Sequence, residues 1–515
     1  MKRKYITLMA ACCLALAAVS PAAASEGSME KGISDEAVPR VQQSAAANAS
    51  GVLESLYTHI SEEARKEVPP LRPSSMSPAP EDRKARLFAL SEKAVKEHPD
   101  RFEAYVFRGN MYFLKGEKEK CFADMDHAVS LAPENPLVYG ARAEVYARSG
   151  QKDQALKDWD KALSLNPADQ VKDHIYFQRG FFYMAQKQYR EAISDFQKDM
   201  NYISPNLRFV LHMALGDCYA GIESPAEAER EYKEATLERP DQPIVWEAAG
   251  DFYSGSMKAY DRAKECYDRA LSLSPQSEKL LRSAGMNASR MNRNQEAVDF
   301  FTKAVEEAPA HWRNYSLRAG AYAAMEQYKQ AADDFTKAIE LKDGPNEILH
   351  ILRGHCYQKL GQYDKAMADY TAAAALDPQD AESYESMGYI HSLRGEYDEA
   401  IPCYEKAISL DPKNGEACNN LGYTWFQKGN TDKALEYLNK AIESDPSYAE
   451  SYRSRAEVYS TLGQPDKALA DMDRFIALSP DDADGYTFRA KIYDQAGKKE
   501  LAEQDRKKVK EMKRG

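Results

Sequence analysis

The stretch Ala381–Asn414 reads AESYESMGYIHSLRGEYDEAIPCYEKAISLDPKN. It holds two amphipathic runs. Tyr384, Met387, Gly388 and His391 recur at helical spacing and mark the apolar stripe of the first. Gly395 interrupts the pattern. Ala400, Tyr404 and Ala407 mark the second stripe, and Pro412 stops it. A pair of helices this short leaves apolar surface uncovered, so the stretch requires a neighbour. Gly415 begins one.

The same pattern extends in both directions. Related repeats start at residues 102, 136, 173, 209, 243, 278, 312, 347, 381, 415, 449 and 483, and most steps are 34 residues. Three residues are extra near Gln170 to Lys172, two follow the third repeat, one falls within 243–277 and one near Asp343 to Asn346. These are expected to be loops. The eighth position of every repeat is small, from Gly109 and Ala143 through Gly388 and Gly422 to Ala490. A closing proline recurs at Pro133, Pro167, Pro240, Pro275, Pro309, Pro378, Pro412, Pro446 and Pro480, where it prevents the helix from continuing.

These residues resemble the tetratricopeptide repeat family, whose 34-residue helix-turn-helix carries W-x2-L-G-x2-Y, then A-x3-F, then P. Leu421, Gly422, Ala434 and Pro446 match in repeat 415, and Trp246, Gly250 and Tyr253 in repeat 243. The resemblance implies an all-α, right-handed solenoid of about twelve helix pairs with a helical cap at its N-terminal end. It further implies that the eighth position is small because the two helices of a repeat cross closely there.

Composition agrees with a helical array. Of 515 residues, 29% are charged, and Val and Ile runs that would signal a buried sheet are missing. Formal net charge is -12, with no basic face, which argues against nucleic acid as a partner. Lys2-Arg3-Lys4, the apolar run Tyr5 to Val19 and Ala22-Ala23-Ala24 read as an export signal over 1–24. An uncleaved anchor and lipidation at Cys12 are the alternatives; a membrane role is expected only through such a lipid or through a partner. The predicted locale is the periplasm of a bacterial envelope. Residues 25–51 read as a linker, and 52–101 as N-terminal helices with a Pro-rich connector that cap the array at 102–515. Of the cysteines beyond the leader, only Cys403 and Cys418 sit in adjoining helices where they could meet; the rest read as small apolar packing residues. The final helix carries Lys507, Lys508, Lys510, Lys513 and Arg514 where a further repeat would dock, which suits a soluble C-terminal cap.

One departure from the family pattern is informative. Seven repeats have Arg at position 7 and Asp at position 23: Arg108 and Asp124, Arg142 and Asp158, Arg179 and Asp195, Arg318 and Asp334, Arg353 and Asp369, Arg455 and Asp471, Arg489 and Asp505. The other five have neither. Covariation of this kind indicates contact. Repeat 312 follows a repeat that lacks the Asp, so the partner is expected within the same repeat. The competing reading is a ladder of arginines for a polyanion.

The sequence shows no phosphate-binding G-x-x-x-x-G-K-[ST] loop, no H-E-x-x-H and no G-x-S-x-G elbow. The expectation is a protein that is not an enzyme, with no cofactor and no metal. Recognition remains. By resemblance, positions 2, 5, 9, 12 and 13 of each first helix line a concave groove. That places Val106, Phe113, Leu114, Phe177, Phe181 and Met184 in an apolar section, Glu247, Asp251, Arg282, Met286 and Arg290 in a charged one, and Glu385, Tyr389, Asn419, Tyr423 and Phe426 in an aromatic one with amides. Such a lining suits a protein or an extended peptide. The family's carboxylate clamp, which needs Lys and Asn in one repeat and Lys and Arg in another, is not matched. The sequence therefore reads as an envelope scaffold for protein segments. An accessory role in polysaccharide synthesis or export and a lipid-anchored outer-membrane assembly component are the alternatives.

Overall fold

The computed structural model describes residues 80–512. The expected leader, the linker and most of the N-terminal cap lie outside the described residues. Among the described residues, every regular element is a helix. They divide into a unit that ends at Met291 and another that begins at Asn292.

Helix Pro80–Glu97 comes first and packs on Phe102–Leu114. Its Phe88 meets Tyr112 edge-on at 5.5 Å, and Lys115 Nζ sits 3.0 Å above the Phe88 ring. Helix pairs follow with the period of the sequence. Phe102–Leu114 is followed by Lys118–Leu131, Ala381–Leu393 by Tyr397–Leu410, and Ala483–Gln495 by Lys499–Met512. Inside each unit, a first helix packs on its own second helix, and that helix packs on the next first helix.

Local chemistry sets the helix starts. Asn135, Asp380 and Asn414 stand just before first helices and accept hydrogen bonds from the backbone N–H of Leu137, Ser383 and Ala417. The turn inside each pair needs one residue with positive φ. Gly395 supplies it at 75° without steric cost, but Lys187, Glu223 and Glu326 occupy the same place at 58–59°.

The small eighth position has a visible cause. A Cβ on Gly180 would stand 2.5 Å from Phe196, one on Gly354 2.7 Å from Tyr370, and one on Gly388 2.9 Å from Tyr404. These aromatic side chains come from the second helix of the same repeat and are fully buried. In the 381–414 repeat, Ala400, Tyr404 and Ala407 are buried, and Ala400 and Tyr404 pack in one cluster with Leu421 of the next repeat. Its first helix buries Ser383, Gly388 and Ile390, while Tyr384, Met387 and His391 are only half-buried.

Three of the four insertions fall between helices as expected and one does not; the two residues after the third repeat fall in the connection between Asp199 and Arg208, which includes the short 3-10 helix Pro205–Leu207. The residue added to 243–277 lengthens the turn between Gly255 and Tyr260, and Asp343, Gly344 and Pro345 form an exposed loop. The three residues near Gln170 are not a loop: they extend the first helix of repeat 173 to Asp169–Ala185. Nothing in Asp169-Gln170-Val171-Lys172 breaks a helix, and Val171 and Ile175 bury themselves against Trp159.

Candidate functional site

The seven Arg–Asp pairs form one recurrent device. In each, Nε and Nη2 of the arginine donate to the two carboxylate oxygens at 2.6–2.9 Å, joining the two helices of one repeat. The pair raises the arginine pKa, as at Arg353, where the hydrogen bond to Asp369 outweighs burial. The sequence reading missed the third bond. The remaining Nη1 reaches the second helix of the preceding repeat: Arg142 to Asp126 at 2.8 Å, Arg179 to Asp160 at 2.6 Å, Arg353 to Thr336 at 3.0 Å, Arg455 to Asn439 at 2.7 Å and Arg489 to Asp473 at 2.7 Å. With Arg318 reaching Thr302 at 3.3 Å, six of the seven guanidiniums clamp three helices, and Arg108 in the first repeat joins the two of its own repeat.

Tyrosines complete the clamp, and the sequence reading passed over them. Arg142 lies 5.8 and 5.7 Å from the rings of Tyr139 and Tyr146, and Arg489 lies 5.6 and 5.7 Å from those of Tyr486 and Tyr493. In five repeats the first tyrosine (Tyr105, Tyr139, Tyr315, Tyr452 or Tyr486) also donates its hydroxyl to the preceding proline carbonyl, as Tyr139 does to Pro133 at 2.9 Å. The signal was present as Tyr-x2-Arg-x3-Tyr. These guanidiniums are each paired with a carboxylate of their own repeat and largely buried, so they do not form a ladder open to a polyanion.

The expected groove residues fare unevenly. Phe181 and Met184 are buried: Phe181 packs between Phe177 at 4.7 Å and Phe196 at 4.9 Å, and so belongs to the core. Phe177 is half-buried beside it. Val106 is buried, and Phe113 lies under Arg148 at 4.4 Å. The apolar section is therefore mostly packing, because side chains of neighbouring helices cover it. In the charged section, Arg282 donates to Glu278 at 2.9 Å, Glu247 meets Lys279 at 3.1 Å, and the exposed Arg290 donates to the Ser254 hydroxyl at 2.7 Å. Here the charges answer one another.

The aromatic section differs. Along the first helices of repeats 347, 381 and 415, Ile348 is 54% exposed, Leu393 50%, Tyr389 39% and Tyr423 36%. Leu352 is also exposed, and Phe426 lies half-buried, 6.1 Å from Tyr423. The helices are tied side by side. Ser392 and Thr424 share a 2.9 Å hydrogen bond, and Asn414 donates to Glu385 at 2.7 Å. Burial raises the pKa of Glu385, and the Asn414 bond only partly opposes this. Asn419 differs from the expectation of an open groove residue: it is only 5% exposed.

Among the described residues, no cluster of three or more His, Cys, Asp or Glu side chains is placed to hold a metal ion, and no helix is long and apolar enough to cross a membrane. Cys403 and Cys418 are free thiols, as are Cys121, Cys218, Cys266 and Cys356. Burial pushes the Cys121 thiol up to about 12.

Comparisons with known proteins agree with this geometry. Tetratricopeptide repeat sequence families match residues 102–135, 136–169, 245–277, 313–344, 348–380, 393–458 and 454–506, together more than half the chain. Protein O-mannosyl-transferase TMTC1 of Homo sapiens is 24% identical over 182 residues, covering 35% of this chain and 20% of its own. The Cell division cycle protein 16 homolog of Homo sapiens is 28% identical over 193 residues, covering 35% and 30%. The chain thus spans less than a third of either relative. Among solved structures, YrrB, described as a TPR protein with an unusual peptide-binding site, is 27% identical with a TM-score of 0.33, over 37% of this chain and 98% of its own. The repeat period, the close helix crossings at small eighth residues such as Gly180 and Gly388 and the family matches lead to one conclusion: the chain belongs to the tetratricopeptide repeat family, whose repeats mark a protein–protein interaction scaffold.

Proposed function

We propose that this scaffold is non-catalytic and holds an extended segment of a partner protein along the first helices of repeats 347, 381 and 415. The observation that carries this reading is the exposed row Ile348, Leu352, Tyr389, Leu393 and Tyr423. In repeats 102 and 173, by contrast, Phe113, Phe181 and Met184 are covered by neighbouring side chains. Large apolar side chains left in water on adjoining, mutually anchored helices favour a partner that covers them. The N-terminal pattern of Lys2-Arg3-Lys4, the apolar run and the alanine triplet supports a place in a bacterial envelope, with the partner part of an envelope assembly.

A photoreactive phenylalanine analogue at Tyr389 or Tyr423 tests the groove. Crosslinks to one partner are expected from both sites, and none from Leu237, which is exposed in another repeat. Only intramolecular products from Tyr389 and Tyr423 would rule the reading out. Mass determination of the N-terminus together with cell fractionation tests export: an intact Met1 on a protein recovered in the cytosolic fraction would remove the envelope assignment.

A further inference from the structure

The exposed row is framed by an excess of negative charge, offset at Glu457 only in part by Arg453 one turn before it on the same helix. Helix Gly415–Gln427 has one charged residue, Glu416, and helix Ala381–Leu393 has Glu382, Glu385 and His391 but no Lys or Arg. His391 is taken up by Glu396 at 2.6 Å, and Glu382 is met only by His355 at 3.5 Å. On the next first helix, Arg453 pairs with Glu450 at 3.3 Å and Arg455 is locked to Asp471. Glu416 and Glu457 make no ion pair among the described residues. The carboxylates feel one another: Glu385 is pushed up by burial, with Glu416, Glu382 and Asp411 adding to the effect.

A second, independent feature points the same way. Asn419 lies on the stripe of Glu416 and Tyr423, three and four residues away on one helix face. Its Nδ2 donates to Asn420 Oδ1 at 3.3 Å, but its buried Oδ1 receives no hydrogen bond. A buried acceptor without a donor is costly, and a ligand N–H relieves it. We propose that the partner segment is basic: its Arg or Lys side chains enter between Glu385, Glu416 and Glu457, stack on Tyr389 and Tyr423, and supply the donor that Asn419 lacks. Charge complementarity selects the occupant, since an acidic segment would add to the repulsion already present and a neutral one would leave the glutamates uncompensated. Guanidinium groups suit this lining because they pair with carboxylates and stack on aromatic faces together. This inference rests on the groove reading above.

The test uses the full chain and three fluorescein-labelled peptides, (Gly-Arg-Leu)4 and its counterparts with Gln or Glu in place of Arg, followed by fluorescence anisotropy. The Arg peptide is expected to bind, the Gln peptide about tenfold more weakly, and the Glu peptide not at all. The pair Glu416→Gln and Glu457→Gln should weaken the Arg peptide by about tenfold and leave the Gln peptide unchanged. The pair Glu227→Gln and Glu234→Gln, exposed in repeat 209, should change neither. Equal weakening by both pairs would overturn the proposal, because attraction to an acidic protein would then be enough. Equal affinity for the Arg and Gln peptides, both lost in Tyr389→Ala, would overturn the charge selection and leave the groove standing. Binding untouched by Tyr389→Ala together with Tyr423→Ala would overturn both.

Discussion

At Arg353 the clamp has an additional member, and this makes its energetics testable. Asp369 accepts from Arg353 at 2.9 and 2.7 Å and also meets His350 Nδ1 at 2.9 Å. Removing the acid takes the carboxylate from both His350 and Arg353 and leaves the guanidinium only its Thr336 bond, whereas removing the arginine leaves Asp369 with its histidine. Asp369→Leu is expected to destabilise by about 3–5 kcal/mol, Arg353→Met by less, and the double variant should recover part of the loss. Urea titration of all three checks the order; Arg353→Met costing more than Asp369→Leu would refute it. Asp199 is the opposite case. It is fully buried where Ala128, Ala162, Ala235 and Ala270 stand in sister repeats, and burial beside Asp173 and Asp195 pushes its pKa up to about 10. The folded chain therefore keeps a proton that the unfolded chain releases near pH 4 (about 3.9 for a free Asp). Stability should fall as pH rises from that value toward the folded pKa. Asp199→Ala should raise stability at neutral pH by about 1–3 kcal/mol and flatten this pH dependence. Thermal melts at several pH values would show it, and a lower melting temperature at pH 7 would contradict it.

At the scale of one helix pair, two contacts decide whether a repeat closes. Gly180 lets Phe196 reach the first helix, and any Cβ there collides with the ring. Gly180→Ala is expected to destabilise by about 1–3 kcal/mol by overpacking. The turn between the helices stores a smaller strain. Lys187 holds φ at 59°, where Gly395 and Gly429 serve in other repeats. Lys187→Gly should stabilise by about 1 kcal/mol, since release of the left-handed strain exceeds the entropy lost with glycine. Denaturant midpoints measure both changes; a destabilised Lys187→Gly would mean that its side chain contributes more than its backbone costs. The second-helix core and the small crossing residues could be read from the chain because each obeys a period within a single repeat. Helix Asp169–Ala185 escaped that reading because an insertion of helix-compatible residues looks the same in a repeat count whether it coils or continues.

Within each unit, the contacts among the described residues run chiefly between neighbouring helices. Stability should therefore be local, with each repeat depending on those beside it. Hydrogen exchange of Gly180→Ala is expected to show faster exchange in 169–238 with little change in Phe102–Leu131. A uniform loss across these segments would indicate all-or-none unfolding instead.

The chain by itself determined the helix-pair period, the place of each close crossing and the pairing of Arg with Asp, because all three are fixed by spacing inside one repeat. Only the tertiary structure decided which inward-facing side chains remain open to solvent. Phe181 and Tyr389 hold the same position in their repeats, yet Phe196 covers the first and the second stands in water. The third bond that six of the arginines make and the donor missing at Asn419 are likewise settled by neighbouring side chains. Periodicity tells which face of a helix is apolar; what covers that face depends on the shapes and charges of residues far away in sequence.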